Sequence, residues 1–441
     1  MKIDHEMTSC KVAEVSTLQN EVVESFLQDH YENFGCDLES FREATEFFSQ
    51  NTYSIDVIPM ECSVLTVCNE DRFQKKGMYA FHVWNVSTLE DFSRMLARER
   101  GPVIAHIPIG DIPENIFREM EDTTQMCVLI NGGTYVVSEL AIPTLTTKVG
   151  IGGNTTINSH TFLRNCHLAE GWFDSVGKTH IIYREENGVR KIFAFMGSRY
   201  QDNFQSCMTA ILDSIQDEAV LGDMIVRSWH QDHRFTKIHV EFPKAAEDIA
   251  EAYPELDKEF VPGIELQTSD VGASSLTARG ILRVGRSNIV FGEVGIPHST
   301  CDMDKLNKKI DEKIFSNVRT LPEVLSNQFE SILDYAVVDL STEEGQKKNL
   351  ERFESIITEV VKPSLKKILG DLRINELIEA CMAEINPSLP YTYYDCSMYI
   401  LEIPERIKGL EQYSQDFMKK AVGQAPYRVT EIMKRKKISL S

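Results

Sequence analysis

The sequence predicts an α+β fold with a mixed α/β N-terminal region, a central antiparallel β-rich domain and a helical C-terminal region. Three observations carry this. Residues 1–140 alternate helix-periodic segments with short β-branched and aromatic runs. Residues 178–300 hold β-rich runs separated by turn signals, among them Asn187-Gly188. Residues 301–441 are helix-periodic, with a basic tail at Lys434, Arg435, Lys436 and Lys437. Residues 141–177 open on IPTLTTKVGIGGNTTINSH, whose Thr, Gly and Asn content reads as a connecting loop and boundary.

In chain order, residues 9–30 place Val12, Val15, Leu18, Val22, Val23 and Phe26 at helical spacing, and a second helix is expected over 37–49. Residues 53–69 and 77–86 read as strands. Ser87 and Glu90 form a capping-box pattern before a helix over 88–100. A strand from Val103 to Ile107, a short helix opening at Pro113 and a hairpin around Asn131-Gly132-Gly133 follow. In the centre, Ile181 to Arg184 and Lys191 to Met196 read as a hairpin, then a helix over 202–216. Strands are expected at Met224 to Trp229, Phe235 to Phe242, 264–269, 275–284 and 289–294, with a polar helix near 244–253. Helices over 302–316, 321–336, 343–369, 373–385 and 404–421 complete the chain. Pro363 is expected to kink or split the third, and PSLPYTYYDCSMYILEIPE to be a connection.

With 441 residues, the chain can bury a real core without disulfide or metal staples. Its formal charge is −21, from 46 Lys and Arg against 67 Asp and Glu. The acidity is concentrated: residues 1–177 carry 12 basic and 26 acidic residues, and residues 299–441 carry 21 and 23. A globally basic nucleic-acid protein is excluded, a locally basic one is not. The first residues lack the apolar core of a signal peptide and no run is long enough to span a bilayer, so no membrane association is expected. The ten cysteines form no C-x-x-C pair and read as free thiols of a reducing compartment.

Ser175-Val176-Gly177-Lys178-Thr179 contains the end of a P-loop, but the position that needs the first glycine is Trp172, and a strand-like run follows. Gly150, Gly152 and Gly153 fail the dinucleotide fingerprint. No NTPase, hydrolase or metalloprotease motif occurs, no cofactor is expected, and nothing nominates an enzyme. His230, Asp232, His233 and His239 offer divalent-metal ligand types without a second cluster to complete the set; turn and surface roles are the plainer account.

Basic residues on β elements stand out. Arg184 and Arg190 flank a turn, Lys191 follows, and Arg199 comes after the second strand; Arg279 and Arg283 share a strand face, with Arg286 in the next turn. Residues four apart on a strand lie about 13 Å apart, wide enough to touch separate phosphates. Tyr183, Phe193, Phe195, Tyr200 and Phe291 are interleaved and can stack bases or fill a core. The competing account is edge arginines paired with the abundant carboxylates.

The segments IIYREENGVRKIFAFMGSRYQDNFQ and IELQTSDVGASSLTARGILRVGRSN resemble two anchor regions of the phage- and plasmid-associated family called domain of unknown function 932. Arg190, Ala194, Ser198, Arg199 and Tyr200 fit the first pattern. Thr268, Ser269, Asp270, Val271, Gly272, Ser274, Arg283, Ser287 and Asn288 fit the second, while Arg286 stands where a Cys is common. The resemblance covers about residues 160–335. It implies a mobile-element protein in a bacterial host cytoplasm and no known activity. The strand–strand–strand–helix order of 264–316 is similar to that of single-strand annealing proteins of recombination. The expectation is a non-enzymatic phage or plasmid protein that binds or anneals single-stranded nucleic acid through the central sheet. The alternative is a virion, assembly or anti-defence interaction protein with no nucleic-acid role. A homo-oligomer or a protein partner is expected in either case.

Overall fold

The computed structural model describes residues 31–69, 74–84, 103–151, 159–200, 204–218, 221–256, 259–285, 287–298, 303–329, 331, 339–407 and 412–440. The helices expected over 9–30 and 88–100 lie outside these residues. The fold is α+β, built on two sheets.

The strands are β1 (Glu32–Gly35), β2 (Thr52–Val57), β3 (Ser63–Val67), β4 (Met78–Trp84), β5 (Val103–Pro108), β6 (Met126–Ile130), β7 (Gly133–Val137), β8 (Thr179–Glu186), β9 (Val189–Gly197), β10 (Ile225–Asp232), β11 (Thr236–Glu241), β12 (Phe260–Thr268), β13 (Leu276–Val284) and β14 (Ser287–Ile296). The first sheet has eight strands in the order β2-β8-β9-β7-β6-β3-β4-β5, antiparallel except where β7 meets β9. The second has six in the order β1-β10-β11-β12-β13-β14, all antiparallel. Residues 178–300 therefore divide between the sheets. The β8–β9 hairpin forms around Asn187 and Gly188, both at positive φ, as its sequence predicts. A turn signal fixes the pair and not the pair's neighbours, and this hairpin sits among the N-terminal strands.

The described helices are α1 (Leu38–Gln50), α2 (Glu114–Asp122), α3 (Ile142–Lys148), α4 (Thr161–Asp174), α5 (Phe204–Glu218), α6 (Pro243–Ala252), α7 (Met303–Ile310), α8 (Ser316–Phe329), α9 (Glu343–Met382), α10 (Tyr393–Arg406), α11 (Gln412–Val422) and α12 (Ala425–Leu440). A π-helical turn at Asp311–Phe315 joins α7 to α8. The segment expected as a connecting loop contains α3 and α4; Leu168, Ala169 and Trp172 of α4 are buried against the first sheet, so apolar spacing outweighs the Gly and Thr content before it. Helix α9 continues through Pro363, which is exposed, so water can replace the lost backbone bond. The break falls at Gly370, whose φ of 75° a residue with a Cβ rarely adopts. The Pro- and Tyr-rich stretch forms α10, held at its start by a capping box of Thr392 and Asp395.

Helices α3 and α4 cover one face of the first sheet, and α2 covers part of the other. One larger core joins α1, α5 and α6, one face of the second sheet, and the C-terminal helices. No helix of the described residues is long and apolar enough to cross a membrane.

Candidate functional site

Most of the residues nominated from the sequence gather in two places: the junction between the sheets and the charged face of the second sheet.

Arg184 of β8 occupies the junction and is completely buried. Its guanidinium lies 4.0 Å from the Phe48 ring centroid and 4.4 Å from that of Phe193. Its Nε donates to Thr52 Oγ1 at 3.2 Å, and its Nη1 is 3.5 Å from His233 Nδ1. Burial lowers its pKa to about 10, with Asp270 the largest opposing influence, so it stays charged at neutral pH. The His233 ring packs between Tyr31 and Phe193, with centroids at 4.9 and 4.5 Å. Gln205 of α5 donates to Thr236 Oγ1 at 2.7 Å and to Asp270 Oδ2 at 3.2 Å. Tyr200 donates its hydroxyl to the Asp270 carbonyl at 3.0 Å and stacks on His298 at 4.8 Å. Ser269 Oγ accepts from the Ala273 amide at 3.1 Å, Val271 enters an apolar patch with Ile182, Phe193, Ala194 and Met196, and Gly272 lies against Met196.

The junction therefore brings together Arg184, His233, Tyr200, Ser269, Asp270 and Gly272, which hold the sheets to each other. Arg184 offers a phosphate no route. Lys191 is likewise buried, and its Nζ pairs with Glu119 of α2. Arg190 is half-exposed and donates from Nε to Glu185 Oε2 at 2.9 Å. Ser198 and Arg199 are exposed just after β9, and Arg199 makes no ion pair among the described residues. Arg286 lies outside the described residues.

Alternation along β11–β14 puts Lys237, His239, Glu241, Glu265, Arg279, Arg283 and Glu293 on the face opposite the core, and the register aligns His239, Glu265, Arg279 and Glu293 across four strands. Arg279 donates from Nη1 to Glu265 and from Nε to Glu293, each at 3.0 Å. Lys237 Nζ is 2.8 Å from Glu265 Oε2, and Lys420 of α11 is 2.5 Å from Glu293 Oε2. Arg283 grips both Glu241 oxygens, at 2.7 and 3.2 Å. It reaches across β12, where Val261 is its own partner and Gly263 is the partner of Glu241; a Cβ at Gly263 would stand only 2.4 Å from the Val240 carbonyl oxygen. Arg227 Nε stands 4.0 Å from Glu241. Asn288 lies opposite Arg283 on β14.

Two of the carboxylates lie deeper than the cations. Side-chain exposure is 3% for Glu241 and 11% for Glu265, against 16% for Arg283, 17% for Arg279, 22% for Arg227 and 32% for Lys237, while Glu293 and Lys420 at the sheet's other side are about equally exposed at 40% and 39%. Burial pushes the Glu265 carboxyl up, but Lys237 and Arg279 together outweigh it and hold it below its usual range. His239, buried between them, has its pKa pulled down to about 4 by desolvation and is neutral. Its Nε2 has no hydrogen-bond partner among the described residues.

His230 sits on β10, beside the edge strand β1, with Nε2 2.6 Å from Glu32 of that strand, whereas the His233 ring packs into the junction. Among the described residues no group of three or more His, Cys, Asp or Glu side chains is placed to hold a metal ion. Sequence reasoning missed Glu241, Glu265, Glu293, Arg227, Lys237 and Lys420. The period-2 run Lys237, His239, Glu241 was visible, but its partners come from strands whose neighbours the sequence leaves open. No family model matches the chain, no curated protein matches it, and no solved structure matches it.

Proposed function

We propose that this protein binds single-stranded nucleic acid, without catalysis, through the charged face of the second sheet. The observation that supports it is the layering of charge. Five cations, Arg227, Lys237, Arg279, Arg283 and Lys420, meet three carboxylates, and two of those carboxylates, Glu241 and Glu265, lie at the bottom. The buried acids hold the guanidinium groups in fixed positions, and the Arg279 and Arg283 side chains keep 17% and 16% exposure. A six-stranded sheet is about 24 Å across at its inter-strand spacing, enough for several nucleotides. Of the arginines nominated in sequence, Arg279 and Arg283 keep this role. In this reading Arg184 and Lys191 build the scaffold. The resemblance to domain of unknown function 932 supports a mobile-element protein of a bacterial host.

Single-stranded DNA should bind with an affinity that falls steeply with salt. The double variant Arg279→Ala, Arg283→Ala should bind at least about tenfold more weakly, because the exposed carboxylates then repel phosphate. No binding at low salt by the intact protein overturns the proposal. The second reading, a virion, assembly or anti-defence interaction protein, draws support from the net charge of −21, which opposes a polyanion. A large homomer that ignores DNA favours it.

A further inference from the structure

The first sheet carries an aromatic cluster that the charged face does not use. Tyr53 of β2 and Tyr183 of β8 are direct cross-strand partners, and their rings stack at 5.5 Å with 26° between planes. Tyr135 of β7 meets Tyr183 edge-on at 5.0 Å. The Arg190 guanidinium lies 5.3 Å from the Tyr135 ring centroid. Helices α3 and α4 bury Tyr135 and its neighbours Ile181 and Val137, but Tyr53, on the edge strand, stays 43% exposed. A tyrosine buried from one side and bare on the other presents a flat apolar plane to solvent, at a cost that a packed core position avoids.

We infer that Tyr53, backed by Tyr183, is a stacking platform for an unpaired nucleobase, with Arg190 as the cation for the adjoining phosphate. This rests on the single-strand reading above and names a base contact to go with its phosphate contacts. The stacked pair supports the outer ring, so it needs no ordering on binding. Arg190 diagonally adjoins Tyr183 on the same face, since Arg190 pairs with Glu185, two residues along β8. Its ion pair with Glu185 is about 40% exposed on both sides, and such pairs are weak enough for the guanidinium to change partner. A base is preferred over an apolar peptide side chain because the Tyr53 ring plane on β2 and the Arg190 fork of N–H donors on β9 share one face of the sheet, with β8 between them.

The test compares an oligothymidine strand with an abasic strand carrying the same number of phosphates. The intact protein should prefer oligothymidine. Tyr53→Ala should lower affinity for oligothymidine about tenfold, leave the abasic strand unchanged, and be rescued by Tyr53→Phe. The urea midpoint of each variant, matching the parent, shows that the fold is kept. Equal binding of both strands by the intact protein overturns this inference alone, as does a Tyr53→Ala variant that binds like the parent. If neither strand binds at low salt, the single-strand reading fails and this one with it.

Discussion

Arg184 and Arg283 both lie on β-strands, yet one is sealed between Phe48 and Phe193 and the other crosses the charged face of its sheet to Glu241. What separates them is the element that packs above each strand, and no local pattern encodes it. His239 shows the same dependence with a measurable outcome. In isolation its pKa is about 6.5, and burial on the charged face lowers it to about 4. Between those values the unfolded chain binds a proton that the folded chain refuses. Stability from this group is therefore complete above 6.5 and is lost as the pH falls toward 4, by roughly 3 kcal/mol. Glu265, held low by its cations, adds a loss of the same direction as acid protonates it. Urea midpoints at neutral and mildly acid pH should thus fall further for the parent than for His239→Gln. Parallel curves for the two proteins would show that another group carries the acid sensitivity.

At the scale of elements, local chemistry was legible where it acts on its own neighbours. Helix α1 starts where Asp37 accepts from the Ser40 amide at 2.8 Å, and the two Asn-Gly hairpins form where their turns require. Helix α10 escaped because Pro and Tyr lower helix propensity, although Thr392 and Asp395 stood at capping-box spacing. Pro404 is taken into the same helix near its end. In β12, Gly263 looks like a weakness in the strand, but the register gives it a purpose. It leaves room for the His239 ring, whose Nε2 would lie 3.0 Å from an added Cβ. Gly263→Ala should destabilise the fold by about 1–3 kcal/mol, because the added carbon meets a backbone carbonyl that cannot yield without moving β11. A variant with unchanged urea midpoint would show that the strand has slack the geometry does not.

At the scale of the whole molecule, the C-terminal helices complete the second sheet. Leu306, Ile314, Leu325, Ile357, Val361, Leu365, Tyr393, Met418 and Val429 all join the core that Ile238, Ile264, Leu266 and Leu282 begin. Each large apolar side chain buried there contributes roughly 1.5–3 kcal/mol. A chain ending at residue 300 should therefore lose its cooperative urea transition and bind an apolar dye; a sharp transition in that fragment would show that the sheet stands without the helices. The acidic N-terminal residues are no more detachable, since β1 pairs with β10 and β2–β7 make most of the first sheet.

The sequence by itself determined the α+β class, most strands of the central region, the hairpins, and the pair Arg279 and Arg283 on one strand face. Periodicity and turn chemistry act within a few residues, so a single chain read in order can show them. Tertiary structure alone decided that β8 and β9 join the N-terminal strands, that Arg184 is interior, and that Glu241 and Glu265 lie beneath the outer cations. Sheet order and burial are set by contacts between segments far apart in sequence, where competing pairings differ by packing energy and leave no mark on either segment alone.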